Sequence, residues 1–322
     1  MTVNRTKTVT IATTIVAVAA ALAVLTTLAL RQGDSDDSTS ERDSPARAER
    51  VDLTDRIDEY TARFGENAGY RQPTRTDRRT VAHAVSLFLD GHRNQAQQQL
   101  AGMDFALRTI TDIPSGRSFA EIADDTEGTR SPRGWGRVYL ALDRPVRWSV
   151  QVPHPVADRN TERLGTRVLL GSPGGVLVIA GAHRKAGMGN AADVAHRTDS
   201  VFDAVCDELT ERGIPGIQIH GFADDSVPDH DVVASTGKGR VALAEGRELS
   251  DELAERGFTV CRGWVRDCPL EGRTNVQGRK AAAEDVPFLH VEFSNRLRTD
   301  TRRSDRAAAA IDRITEDWAR AR

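Results

Sequence analysis

The chain predicts an α/β protein with a mainly parallel sheet and helices on both faces, on three observations. From about residue 147 onward, short apolar runs alternate with helical patterns, the order that builds crossover units. Two of the helical stretches stop at Gly213 and Gly257, each just before a new apolar run, as a left-handed helix stop requires. Finally, several strand-like runs end in ionisable residues, and in open α/β sheets sites form beyond the carboxyl ends of the strands.

Residues 9–30 form an uncharged run preceded by Arg5 and Lys7, long enough to cross a bilayer at the roughly 20 residues needed. Segment 1–31 is therefore expected to be an N-terminal transmembrane anchor or an uncleaved signal. Either way the rest of the chain lies outside the cytoplasm, held at the cell membrane by a single pass, or secreted if the segment is cleaved. Residues 32–49 are Gly, Ser, Asp, Glu and Arg with almost nothing apolar, a flexible tether. Region 50–145 follows, with helical patterns at 51–64 and 80–100 and strands near 105–111 and 136–142; it is either a small module or a covering layer. In region 146–322, strands are expected near 147–152, 175–180, 215–220, 232–235, 258–262 and 288–293. Helices are expected over 160–170, 198–213, 245–257 and 275–284, with a final helix over 303–322.

The 322 residues carry 44 Lys plus Arg against 47 Asp plus Glu, a formal net charge of −3 without a basic block, so a nucleic-acid partner finds no support. Cys206, Cys261 and Cys268 include no C-x-x-C pair, which argues against a structural zinc finger. Cys261 and Cys268 either close a disulfide, in an oxidising compartment, or stay reduced; spacing does not decide between them.

The run Trp148-Ser149-Val150-Gln151-Val152-Pro153-His154-Pro155-Val156-Ala157-Asp158-Arg159-Asn160-Thr161-Glu162 concentrates the chemistry. Its first part alternates as a strand, the prolines end the ladder, and His154, Asp158 and Glu162 follow. Imidazole with carboxylate suits a borderline cation such as zinc. His220 closes the apolar run 217–219 and is followed by Gly221. With His154 and Asp158 it makes three ligands, leaving a fourth position open as catalytic zinc needs. Glu292 sits on an apolar strand, where a carboxylate without a partner is costly, and is the expected proton acceptor. Glu162 reads equally as a first-turn acid and as support for the ligands. His183 and His290 are further candidates for that supporting role, and Asp193, Arg184 and His196 share the Gly-rich loop after the second strand. Arg273, Asn275 and Arg279 could clamp a substrate carboxylate; the alternative is an ordinary capped helix start. There is no G-x-S-x-G elbow, Walker loop or H-E-x-x-H.

The order of these blocks resembles the poly-γ-glutamate hydrolase family of phage enzymes, relatives of the zinc carboxypeptidases. The matching positions are His154 and Asp158, Thr161-Glu162, Ile219-His220-Gly221, Leu270-Glu271-Gly272 with Asn275 and Arg279, and His290-Val291-Glu292-Phe293-Ser294 with Arg298. The likeness covers about residues 147–298. It departs from the family at Pro155, where the family has glycine, and at Asp158, where it has a longer acid one residue further on. The resemblance implies a three-layer αβα fold and a zinc-dependent amidohydrolase with His154, Asp158 and His220 on the metal and Glu292 as general base. N-formylglutamate amidohydrolases and zinc-dependent muramoyl-alanine amidases have similar constellations. The expected activity is hydrolysis of a γ-glutamyl or cell-wall peptide amide outside the cytoplasm, on a peptide-like or poly-γ-glutamyl substrate. The alternative is an inactive envelope-binding module of the same fold.

Overall fold

The structure, a computed structural model, describes residues 48–128 and 132–321. The expected membrane segment at 1–31 and the tether as far as residue 47 lie outside the described residues. Among the described residues no helix is long and apolar enough to cross a membrane.

The first half of the fold runs β1 (Glu49–Val51), α1 (Leu53–Thr61), α2 (Arg75–Leu89), α3 (Arg93–Ala101), β2 (Phe105–Asp112), β3 (Ser118–Asp124) and β4 (Arg137–Ala141). The second half runs β5 (Trp148–Val152), α4 (Thr161–Gly171), β6 (Gly175–Ile179), α5 (Val201–Glu211), β7 (Gly216–Phe222), β8 (Val232–Ser235) and α6 (Leu243–Glu255). It finishes with β9 (Val260–Arg262), α7 (Val276–Ala283), β10 (Phe288–Ser294), α8 (Asn295–Thr299) and α9 (Thr301–Arg320). All ten strands join one sheet in the order β1-β2-β3-β4-β6-β5-β7-β10-β8-β9. The sheet is mixed. Its centre, β6-β5-β7-β10, is parallel, whereas β2, β3, β4 and β6 pair antiparallel and β8 runs antiparallel to β10. The parallel centre is the part built from crossovers; the short link from β2 to β3 permits a hairpin without one.

Two core clusters make the layers. On one face α1, α4, α6 and α9 place Ile57, Leu164, Leu249 and Ile311 against Val150 and Ile219. On the other, α2, α3 and α5 place Val85, Leu100 and Phe202 against Ile122, Val138 and Val178. The helices of region 50–145 are thus a covering layer whose strands continue the same sheet. The single helix expected over 80–100 is two helices, because Gly91 turns the chain at φ 82°, a conformation that costs glycine little. Helix α2 also starts earlier, with a capping box in which the Thr74 hydroxyl accepts from Asp77 N and the Asp77 carboxylate accepts from Thr74 N.

Strand β3 was invisible as a pattern because residues 119–124 are all buried and include two acids. The Glu121 side chain is fully buried yet ion-paired to Arg56 at 2.6 Å and to Arg137 at 3.4 Å, partners that a buried carboxylate requires. Strand β1 takes the place of the end of the expected tether and the first residue of the expected helix; its three residues pair with β2. Cys261 and Cys268 form a disulfide, S–S 2.05 Å, and Cys206 is buried and free.

Helix α9 carries Asp312, half-buried against Gly171 at the end of α4. Burial, together with the nearby Glu316, pushes its carboxyl up to about 7. A folded-state value above the unfolded one means the native state holds the proton more tightly. Stability should therefore fall as pH rises from about 4 through about 7, and the loss is complete above that. Asp312→Asn is expected to stabilise the protein by about 1–3 kcal/mol at pH 8 and to change little at pH 4. Thermal melts at the two pH values check this, and an equal gain at both would sink it.

Period-2 alternation on the central strands has one more consequence. Their α1/α4/α9 side is apolar, whereas the opposite side carries a buried polar strip of Ser149, Gln151, Gln218, His220, His290 and Glu292. In register, Gln151 and His290 both lie beside Gln218, and Glu292 lies beside His220.

Candidate metal centre

The loop after β5 is held in a conformation it would not adopt alone. Val156 and Asn160 have φ of 67° and 66°, and positive φ is costly for a β-branched residue. The Glu162 carboxylate accepts from Val156 N and from Asn160 N, each at 3.2 Å, so it clamps the loop from the first turn of α4. Arg298 fastens the other side. Its guanidinium donates to the carbonyls of Asp158 (2.5 Å), Arg159, Phe293 (3.0 Å) and Phe222 (3.2 Å). A Cβ on residue 221 would run into that guanidinium, which is the physical reason for glycine after His220. Gly221 N in turn donates to Asp158 Oδ2 at 3.2 Å.

Three side chains converge in front of this frame. Asp158 Oδ2 lies 3.3 Å from His154 Nδ1 and 3.5 Å from His220 Nδ1. The two imidazoles meet edge to face with centroids 4.9 Å apart, and one donor atom from each of the three residues lies within 4.8 Å of the others. A tetrahedral cation with bonds of about 2.0–2.1 Å has ligand-to-ligand edges of about 3.3–3.4 Å, so the two measured separations suit a small divalent ion. The donor chemistry fits as well. His154 Nε2 is 2.8 Å from Asp193 Oδ1, a carboxylate that accepts its proton and leaves the Nδ1 lone pair facing Asp158. With the proton on Nε2, His154 Nδ1 and Asp158 Oδ2 present two acceptors 3.3 Å apart to a cation. His154, Asp158 and His220 could therefore hold a divalent metal.

Electrostatics follow from burial. Burial alone would raise the Asp158 carboxyl, but the neighbouring imidazoles of His154 and His220 outweigh it and hold the group well below the usual carboxylate range. Burial lowers His220 to about 4, so it stays neutral at physiological pH. Glu292 is the opposite case. Burial, reinforced by the Asp158 charge, pushes its carboxyl well above the ordinary value. Neither Arg296 nor Arg298 forms an ion pair with it: Arg296 pairs with Asp231 at 3.1 Å, and Arg298, whose charge only partly offsets the burial, is spent on carbonyls. One oxygen of Glu292 lies within 4.8 Å of nitrogens of His220 and His290. His290 stacks on His220 at 4.5 Å between centroids, and its Nδ1 is buried without a partner.

Of the supporting residues expected from sequence, Glu162 holds the ligand loop and His290 packs on a candidate ligand. His183 makes a local turn instead, its Nδ1 accepting from Lys185 N at 3.2 Å. The expected clamp of Arg273, Asn275 and Arg279 does not form. Arg273 is exposed and paired with Glu271 at 2.5 Å, and Arg279 is exposed on α7. Asn275 caps that helix by accepting from Gly278 N at 2.9 Å and turns its amide nitrogen to Gln218. The cationic group at the cluster is Arg184, with Nη1 3.2 Å from His154 Nδ1 and Nη2 2.9 Å from Asp193 Oδ2. Gln218, whose Oε1 is 2.7 Å from His220 Nε2, escaped the sequence reading although it shares the histidine's face by strand alternation.

No family model matches the chain, and no curated protein matches it. Solved structures with similar folds include an N-formylglutamate amidohydrolase from Ralstonia eutropha JMP134, 14% identical over 56% of this chain and 96% of that one, with a TM-score of 0.39. They also include a metallo-carboxypeptidase from Burkholderia cenocepacia, 15% identical over 72% of this chain and 68% of that one, with a TM-score of 0.36. At this degree of likeness neither protein's chemistry carries over, and the functional reading rests on the side chains just described.

Proposed function

We propose that the chain is a zinc-dependent hydrolase of amide bonds, with His154, Asp158 and His220 holding the metal and Glu292 moving the proton. The observation that carries this is the pair of separations from Asp158 Oδ2 to the two Nδ1 atoms, 3.3 and 3.5 Å, beside an unpaired buried carboxyl. Zinc bound there supplies Lewis-acid activation of a carbonyl and of water. Glu292 accepts the proton of the attacking water and returns it to the leaving nitrogen; its raised proton affinity brings it toward the working range of a general base. Asp193 and Glu162 keep the first histidine and its loop in place. Arg184, one-third exposed at the cluster, can swing from His154 to a substrate carbonyl or carboxylate.

The substrate class is a γ-glutamyl or cell-wall peptide amide, cut outside the cytoplasm by a domain tethered through residues 1–31. The disulfide between Cys261 and Cys268 suits such an oxidising compartment. Metal analysis of the purified protein, followed by a screen of γ-glutamyl and muropeptide amides, tests the reading. Bound zinc with turnover is the expected result. Bound zinc without turnover on any amide would favour an envelope-binding module, and no zinc at micromolar free metal would end the proposal.

A further inference from the structure

The buried amides behind the cluster form a chain whose polarity can be read without ambiguity from its two ends. At one end, Gln277 Nε2 lies 3.0 Å from the backbone carbonyl of Val194 and 2.7 Å from Asp203 Oδ1. A carbonyl only accepts, so the group facing Val194 is the NH₂ of Gln277. The Oε1 of Gln277 then faces Gln218 Nε2 at 3.1 Å, and the second proton of that NH₂ goes to Gln151 Oε1, also at 3.1 Å. At the other end, Gly278 N only donates, so the atom of Asn275 that meets it at 2.9 Å is Oδ1. The Asn275 NH₂ is thereby turned to Gln218 Oε1. The two ends agree: the oxygen of Gln218 faces Asn275 on one side and His220 Nε2, 2.7 Å away, on the other.

We infer that Gln277, Asn275 and Gln218 are positioning residues that fix the tautomer of His220, forcing its proton onto Nε2 and its lone pair onto Nδ1. An oxygen without a proton can only accept from His220, so the ring must donate at Nε2. The Nδ1 lone pair then faces Asp158 Oδ2 at 3.5 Å, as the neighbouring His154 does under the control of Asp193. The two histidines are therefore set to the same tautomer by different devices, one carboxylate and one amide chain. Ser149 extends the chain by accepting from Gln151 Nε2 at 3.4 Å. The chain's members are all buried, so no water competes for their protons. An isolated imidazole, by contrast, samples both tautomers. Fixing it in advance removes a cost from cation binding.

Asn275→Asp is the sharp test, because it keeps the helix cap while replacing the NH₂ that faces Gln218 with an acceptor oxygen. Two facing oxygens repel, and Gln218 is held against flipping by Gln277 Oε1 and Gln151 Oε1, so its oxygen is pushed out of line with His220 Nε2 and the ring proton is no longer confined there. Two-bond nitrogen–proton correlation spectra of the metal-free full chain should show His220 protonated at Nε2 alone in the wild type and a mixture of the two tautomers in Asn275→Asp. Zinc affinity, measured by competition with a chelator, should fall by about 10–100-fold. Should Asn275→Asp not fold, Gln218→Met removes the acceptor outright and is expected to leave His220 in a mixture of tautomers with the same direction of affinity change. A wild-type His220 protonated at Nδ1, or an Asn275→Asp protein with unchanged tautomer and affinity, would overturn the inference. The affinity arm rests on the metal reading above, but the tautomer arm does not. A wild type that binds no zinc yet shows the Nε2 proton would reject that reading and keep this one.

Discussion

Glu292→Gln is expected to leave zinc binding intact and to lower amide hydrolysis by about 10²–10⁴-fold, the span a positioned general base contributes. Glutamine has the size of glutamate and removes only the capacity to take a proton. Nothing in the frame depends on the charge: Arg298 holds carbonyls, Arg296 holds Asp231, and Glu292 is held protonated more readily than an ordinary carboxyl. His154→Ala should behave differently, losing metal and turnover together, because it deletes one of three donors. Zinc stoichiometry and kcat measured on the two variants separate the roles. Hydrolysis that survives Glu292→Gln unchanged would remove that residue from the mechanism.

The largest effect on stability is expected at Arg298. Replacing it with alanine leaves the carbonyls of Asp158, Arg159, Phe222 and Phe293 without their donor. A buried acceptor stranded in this way costs about 1–3 kcal/mol. Relaxation and entering water soften the sum, so a net loss of about 3–5 kcal/mol is expected. Lysine should recover less than half of that, since a single ammonium cannot span acceptors that a planar fork reaches from two sides. Urea titration gives the shift in midpoint; a loss below about 1 kcal/mol would mean that the carbonyls find other partners. Zinc affinity should drop as well, because the loop carrying His154 and Asp158 loses the donor that holds its Asp158 and Arg159 carbonyls.

Much of this architecture is legible in the chain because it is encoded locally. The alternation of Trp148, Val150 and Val152, the apolar runs of β6, β7 and β10, and the glycine stops at Gly213 and Gly257 each announce themselves within a few residues. So does the habit of ending strands in ionisable residues, which marks His154, Asp158, His220 and Glu292. Local patterns failed where burial and charge contradicted each other, as in β3, whose Glu121 is acceptable only because Arg56 and Arg137 arrive from elsewhere.

What the sequence determined by itself is therefore most of the central elements and the residues able to do chemistry at their ends. Tertiary structure alone decided which of those residues share a site. It joined His154 to Asp193 and Gln218 to Asn275, and it turned Asn275 away from a clamp and into a cap. It also set β4 and β8 antiparallel to the parallel centre that they flank. The physical reason is the range of the forces involved. Backbone periodicity repeats every two to four residues and leaves a signature in any short window. A buried hydrogen bond between residues far apart in the chain leaves none, because either partner would look the same in a loop facing water.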